Sequence, residues 1–414
     1  MNPAAPLVIV CSLLLLCEIA EPSPPESLKL VSVLYRHGDR SPVSIYPLDI
    51  NQVANAWPDG LGWLTNVGKV QQYELGQYLK QRYDGFINTS YYHHDEIQVQ
   101  SSGVERCLMS ASSNLAGLYP PQDGQIWNPD ILWQPIPVQT LPTTMDNKLA
   151  QGAPCPRYDQ LVQEVLNSPA IQKEEQENKA FYDMVEKNTG VPKESIKDIW
   201  SVGDTLVCER AHNLTWNAWA QQPGVWEKMQ QLNTLSFDLV TYNNEMAKLK
   251  GGPLLKEIIA NMQNAATQTL PKFYMYSAHD TTVAALLSAL HVFDRHAPTY
   301  RALVMVELHQ IQDVYGVKIF YRNDTTRDPY ELVVPGCQSP CKLDDLITLT
   351  KDTVPVDWDA ECKAQTSVAA SGALTPASWI ALSVGICICV IIAVALVVMV
   401  IRLKRRQAGV YSKL

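Results

Sequence analysis

With 414 residues, 33 Lys and Arg against 42 Asp and Glu, and a formal net charge of -9, the chain has room for one large domain or two medium ones. The acidic balance argues against a nucleic-acid scaffold. Of the ten cysteines, the six between 107 and 362 are too widely spaced for a zinc ribbon, and none of the ten forms the C-x-x-C of a redox pair.

Residues 1–20 read as a secretory signal peptide, with an apolar core at 7–17 and Ala20 before the cut, although no basic residue precedes the core. Residues 28–42 (LKLVSVLYRHGDRSP) organise the rest of the chain. A nearly unbroken apolar run at 29–35 predicts a parallel-sheet strand covered on both faces. It leads directly into Arg36, His37, Gly38, Asp39, Arg40 and Pro42, at the strand end where open α/β sheets place ligands. Two arginines present planar forks to phosphate oxygens, and an imidazole between them can attack phosphorus.

Thr65 is the expected N-cap of a helix to Arg82, with Val67, Val70, Tyr73, Leu75 and Leu79 near one apolar face. A short strand is expected at 96–100 and a helix at 104–118, with Arg106 in its first turn. Residues 127–142 are rich in Pro and Trp and read as strand-like. From 156 to 267 the texture changes to amphipathic helices, at 158–166, 173–187, 193–200, 225–249 and 254–265. A sheet interrupted by helices suggests an α/β domain with a helical cap over the strand ends, and Trp200 is a candidate wall of the access route. The sheet resumes at 272–277 and ends in Ala278-His279-Asp280-Thr281-Thr282, followed by a helix to Leu290 and a hairpin at 303–308 and 314–321.

Residues 380–401 are uncharged for 22 positions, enough for one transmembrane helix. Trp379 borders one end and Arg402, Lys404, Arg405 and Arg406 the other, which places the C-terminus in the cytosol. Asn88, Asn213 and Asn323 head glycosylation sequons, as expected of a secretory glycoprotein. Cys107, Cys155, Cys208, Cys337, Cys341 and Cys362 fall in the lumenal part, where they allow up to three disulfides in 15 pairings. The tail ends in Tyr411-Ser412-Lys413-Leu414, which resembles the endocytic and lysosomal sorting signal read by clathrin adaptors.

Arg36-His37-Gly38-Asp39-Arg40-Ser41-Pro42 resembles the signature of the histidine acid phosphatases, and the block around His279-Asp280 is similar to their second signature. The resemblance covers roughly residues 28–362 and extends to the Ile126-Trp127-Asn128-Pro129 and Leu132-Trp133-Gln134-Pro135 blocks of the animal lysosomal and prostatic members. It implies a phosphoglycerate-mutase-like α/β fold, mostly parallel in its sheet and flanked by helices, with a smaller helical cap. The expected layout is signal 1–20, α/β domain 21–154 and 268–362, cap 155–267, stalk 363–379, span 380–401 and tail 402–414.

By the same resemblance His37 is the nucleophile, Asp280 the general acid, and Arg36, Arg40, Arg106 and His279 the phosphate ligands, with no metal or other cofactor. It also implies the bridges Cys155–Cys362 and Cys337–Cys341 and a homodimer. The family usually has a cysteine near Leu303 paired with the equivalent of Cys208. Here that position is aliphatic and Cys107 is additional, so a thiol beside the phosphate site suggests sensitivity to oxidation. The expected function is hydrolysis of phosphate monoesters at acid pH in lysosomes or endosomes. The alternatives are a plasma-membrane ectophosphatase for nucleotides or lipid phosphates, and an inert binding glycoprotein.

Overall fold

A computed structural model describes residues 25–192, 195–265 and 271–365. The signal 1–20, the span 380–401 and the sorting residues Tyr411 and Leu414 lie outside them. Among the described residues no helix is long and apolar enough to cross a membrane.

The strands are β1 (Leu28–Arg36), β2 (Ile97–Ser102), β3 (Gln139–Leu141), β4 (Phe273–Ala278), β5 (Leu303–Ile311), β6 (Val314–Arg322), β7 (Tyr330–Leu332) and β8 (Cys341–Lys342). They form one sheet in the order β3-β2-β4-β1-β5-β6-β7, with β8 on β6. It is mixed: β3, β2, β4 and β1 run parallel, while β5 to β8 are antiparallel additions.

Alternation along β1 shows why this strand lies in the interior. Leu30 and Leu34 enter one core with Tyr276 and Val304. Val31, Val33 and Tyr35 enter the other with Met275 and Met305. An apolar residue at nearly every position is what a strand buried on both faces requires. The second core is closed by α2 (Asn66–Arg82) and α3 (Glu105–Leu118), the first by α9 (Gly252–Asn264) and α10 (Asp280–Ala289).

Thr65 does cap α2, accepting from the Gly68 amide at 3.1 Å. The expected apolar face is only partly correct, because Val67, Val70 and Tyr73 are exposed and the buried face is Gly68, Gln72, Leu75, Gly76 and Leu79. The cause is a glycine seam. A Cβ on Gly76 would lie 1.9 Å from the Asn114 carbonyl oxygen, and one on Gly117 2.1 Å from that of Tyr73. Close backbone approach, which periodicity of large apolar residues does not reveal, decides the buried side here.

Between β3 and β4 the chain runs through α4 (Pro156–Leu166), α5 (Pro169–Thr189), α6 (Ile196–Ala211), α7 (Val225–Val240), α8 (Asn244–Lys250) and α9. Apart from α9 they share a core of their own that includes Leu161, Ile199, Met229 and Leu232. The expected single helix at 225–249 is two, because Asn243 starts a new one by accepting from the Met246 amide at 2.9 Å. The segment 127–142 carries regular strand only at Gln139–Leu141. Short helices are also present among the described residues: α1 (Val53–Ala56), α11 (Leu343–Leu349) and α12 (Trp358–Glu361), with 3-10 turns at Asp123–Gln125 and Thr143–Met145. Cys155–Cys362 ties α4 to the end of α12, and Cys337–Cys341 closes the turn before β8.

Candidate active site

Since β1, β2 and β4 run parallel, their carboxyl ends open on one edge. Arg36 is in register with Ala278, and the His37 amide donates to the Ala278 carbonyl at 3.0 Å, which sets the loop after β1 beside His279 and Asp280. One strand over, Ser101 pairs with Ser277, and the first turn of α3 brings Arg106 to the same edge. All six residues that the two motifs and α3 singled out therefore converge. The loop lies hard against α2: a Cβ on Gly38 would come 2.3 Å from the Gly68 carbonyl oxygen.

The His37 ring is 1 % exposed. Its Nδ1 lies 2.8 Å from the Gly38 carbonyl, which can only accept, so Nδ1 carries the proton and Nε2 the lone pair. Burial drives its pKa well below the ordinary 6.5, and the charges of Arg36, Arg106 and Arg40 push the same way. A neutral imidazole in acid is the result.

His279 stands edge-on to that ring, with centroids 5.8 Å apart. Arg106 Nη2 donates to its Nδ1 at 3.3 Å, which leaves Nε2–H to donate to Ser102 Oγ at 2.9 Å. Burial, then Arg106, lowers its pKa to about 3. Asp280 opens α10, accepts the Thr281 amide at 2.8 Å and pairs with Arg36 at 2.7 Å. Burial pushes its carboxyl up, but Arg36, Arg40, His279 and that amide outweigh burial and hold it below 3.8.

Arg40 is gripped bidentately by Asp204 of α6, at 2.7 and 3.0 Å. Among the described residues, the buried Nε–H groups of Arg36, Arg40 and Arg106 have no hydrogen-bond partner. The edge thus concentrates guanidinium charge with unused donors, an arrangement suited to an oxyanion.

Motif reading missed several neighbours. The Tyr300 ring lies 4.4 Å from the Arg36 guanidinium and 6.0 Å from His37. It comes from the loop before β5, where His291, Arg295 and Arg301 adopt positive φ, and no sequence pattern marks it. Asp204 is one polar residue on an amphipathic helix. His212, which caps the same helix, lies 2.7 Å from the Asp39 carboxylate.

Cys107 and Cys208 form no disulfide, and each touches the site. Cys107 Sγ lies 3.6 Å from His279 Nε2; Cys208 Sγ lies 3.4 Å from the Tyr300 hydroxyl and 3.5 Å from Arg40 Nη1. Burial raises both thiols to about 12, so they stay protonated, which works against the oxidation sensitivity expected from the sequence. Asn88 and Asn213 are exposed, whereas Asn323 is half-buried and accepts from the Thr299 amide.

On α6, beside Cys208, Glu209 is fully buried with Asp49. Burial raises the Glu209 carboxyl to about 8, with Asp49 adding to the effect. From its ordinary 4.5 up to about 8 the folded state holds the extra proton, so folding stability falls as pH rises across that window. In Glu209→Gln this fall is expected to flatten. Urea midpoints of variant and parent at pH 5 and 8 measure it, and parallel losses in both would refute the assignment.

Residues 27–322 match the family model of the histidine phosphatase superfamily, branch 2. The chain belongs to that superfamily and is a phosphatase of that group. It is 44% identical to the lysosomal acid phosphatase of Homo sapiens over 351 residues, 83% of this chain and 82% of that protein. It is 40% identical to the prostatic acid phosphatase of Rattus norvegicus over 355 residues, 84% of this chain and 93% of that one. Among solved structures, the Hafnia alvei phytase in complex with tartrate superposes with a TM-score of 0.62 at 17% identity, over 83% of this chain and all of that one, and shows the shared fold.

Proposed function

We propose that this protein is an acid phosphatase that hydrolyses phosphate monoesters through a phosphohistidine at His37. The observation that carries the reading is the state of that ring: buried, neutral, with Nδ1–H spent on Gly38 and Nε2 free to attack amid three guanidinium groups. Nε2 bonds to phosphorus as the ester P–O bond breaks. Asp280 gives its proton to the departing oxygen and then, as carboxylate, takes one from the water that cleaves the P–N bond.

Arg36, Arg40 and Arg106 bind the nonbridging oxygens and neutralise their charge in the transition state. A bound dianion also favours protonated His279, which donates to it. Arg36, drawn to the phosphate, loosens its hold on Asp280, so that the carboxyl can pick up the proton it must deliver. The pH dependence follows: the nucleophile survives acid, and the acid catalyst needs it. With no added metal, the full-length protein should hydrolyse an aryl phosphate best below neutrality. A folded preparation inactive from pH 4 to 8 would rule the reading out.

The lysosomal relatives, the two disulfides and the exposed sequons at Asn88 and Asn213 support a lumenal body. The layout is a type I protein of lysosomes or endosomes, its α/β domain at 21–154 and 268–362 and cap at 155–267, anchored by 380–401 and sorted by an adaptor reading Tyr411 and Leu414. Tyr411→Ala should shift the steady state to the cell surface. Unchanged location would remove the sorting signal from the account. A homodimer fits the bare edge of β3, all exposed, near exposed Trp127, Leu132, Trp133 and Met145.

A further inference from the structure

The Arg36 guanidinium rests on three supports. Its Nη2 pairs with Asp280 at 2.7 Å, its Nη1 donates to the Pro298 carbonyl at 2.6 Å, and its central carbon lies over the face of Tyr300, 4.4 Å from the ring centre. Two of the three come from one short stretch ahead of β5. That stretch is fastened to the catalytic loop itself: the Arg36 amide donates to the Ala302 carbonyl at 2.9 Å, and the Arg301 amide to the His37 carbonyl at 3.2 Å. Arg301 holds a left-handed φ of 55° there, a conformation that a side chain resists and that its contacts must sustain. Its guanidinium reaches Glu74 on α2 and the Thr325 hydroxyl, while the Thr299 amide donates to Asn323 at 2.8 Å. Tyr300 is therefore set beside Arg36 by the backbone on both sides of it.

The Tyr300 hydroxyl meets Cys208 Sγ at 3.4 Å. Burial raises it well above its ordinary 10.0, so it keeps its proton and is no acid or base for the reaction. What the side chain offers the site is the face of its ring, to which a cation is drawn.

We propose that Tyr300 is a positioning residue of the phosphate site: its ring keeps the Arg36 guanidinium at the catalytic edge when phosphate takes that arginine from Asp280. The inference rests on the phosphatase reading above and deepens it. In the free site Asp280 would hold Arg36 even if the ring were lost. With phosphate bound that pairing loosens, and Pro298 and Tyr300 carry the orientation, so loss of the ring falls on the bound state. Arg36 turns about a fixed seat, with its unpartnered Nε–H available to the oxyanion.

The test uses the full-length protein in nanodiscs and inorganic phosphate, with the dissociation constant read by calorimetry. Tyr300→Leu should bind phosphate roughly 3- to 30-fold more weakly, the span a cation–π contact covers from exposed to desolvated sites. Tyr300→Phe keeps the ring face and should recover most of that loss. Fluorinated phenylalanines at position 300 drain the face of negative charge at nearly constant shape, so affinity should fall stepwise from one fluorine to three. This series decides the matter if the leucine variant fails to fold. On an Arg36→Ala background the same changes should move the constant by no more than about twofold.

Equal losses with and without Arg36 would make the ring a packing group and overturn the proposal, as would a flat fluorine series. A flat series with an aryl phosphate still hydrolysed by the parent would leave the phosphatase reading standing. A graded series in a parent that hydrolyses no ester would do the reverse.

Discussion

Replacing His37 by alanine should lower hydrolysis of an aryl phosphate at acid pH by at least roughly 10⁴-fold while leaving the protein folded. The size of the loss follows from what the ring does. A nucleophile splits one displacement into two, and among the described residues no other neutral side chain at this edge is placed to attack phosphorus with a free lone pair. The cationic groups remain in the variant, so phosphate should still inhibit or bind it. That combination separates loss of bond-making from loss of the site. Activity within about tenfold of the parent would mean the attacking group is elsewhere.

Asp280→Asn should divide substrates by leaving group. An alkoxide is a poor leaving group and needs the proton, so alkyl phosphates should lose roughly 10² to 10⁴ in kcat. A nitrophenolate leaves readily without one and should lose far less in the first step. The free carboxyl is held below its ordinary 3.8 by Arg36, Arg40 and His279 against burial. Its proton is therefore acquired with substrate bound, and the fall of kcat for alkyl esters as pH rises should disappear in the variant. Equal losses for both ester types would deny Asp280 the role of acid. The side chains match in volume and Asn keeps an oxygen for the Thr281 amide, so a folding defect is not expected.

Much of this site was legible in the chain because the chemistry sits next to strands that announce themselves. β1 is apolar at nearly every position and then turns abruptly to charge, and β4 does the same before His279 and Asp280. Parallel register does the rest, without any further signal from intervening residues. What stayed hidden depends on contacts between distant segments. Tyr300 reaches Arg36 from an irregular loop, and Asp204 meets Arg40 only once α6 has packed. The face of α2 was misread because glycine contributes nothing to an apolar pattern yet decides which side can approach α3. The break after α7 had a cue, Asn243 ahead of Glu245, that the surrounding periodicity masked.

Helix α6 is fastened to the loop after β1 at more than one point. Asp204 holds Arg40, and its cap His212 holds Asp39. Arg40 is thus at once one of the proposed phosphate ligands and a rivet to the insert. A hinge swing of α6 away from the sheet would pull that arginine from the centre, so opening and catalytic competence exclude each other. The two ties oppose such a swing, so substrates should be admitted through a standing aperture rather than by a closing jaw. Encounter with bulky phosphate esters on large proteins should accordingly be slow from the first collision, and crosslinking α6 to the loop should leave turnover of small esters intact.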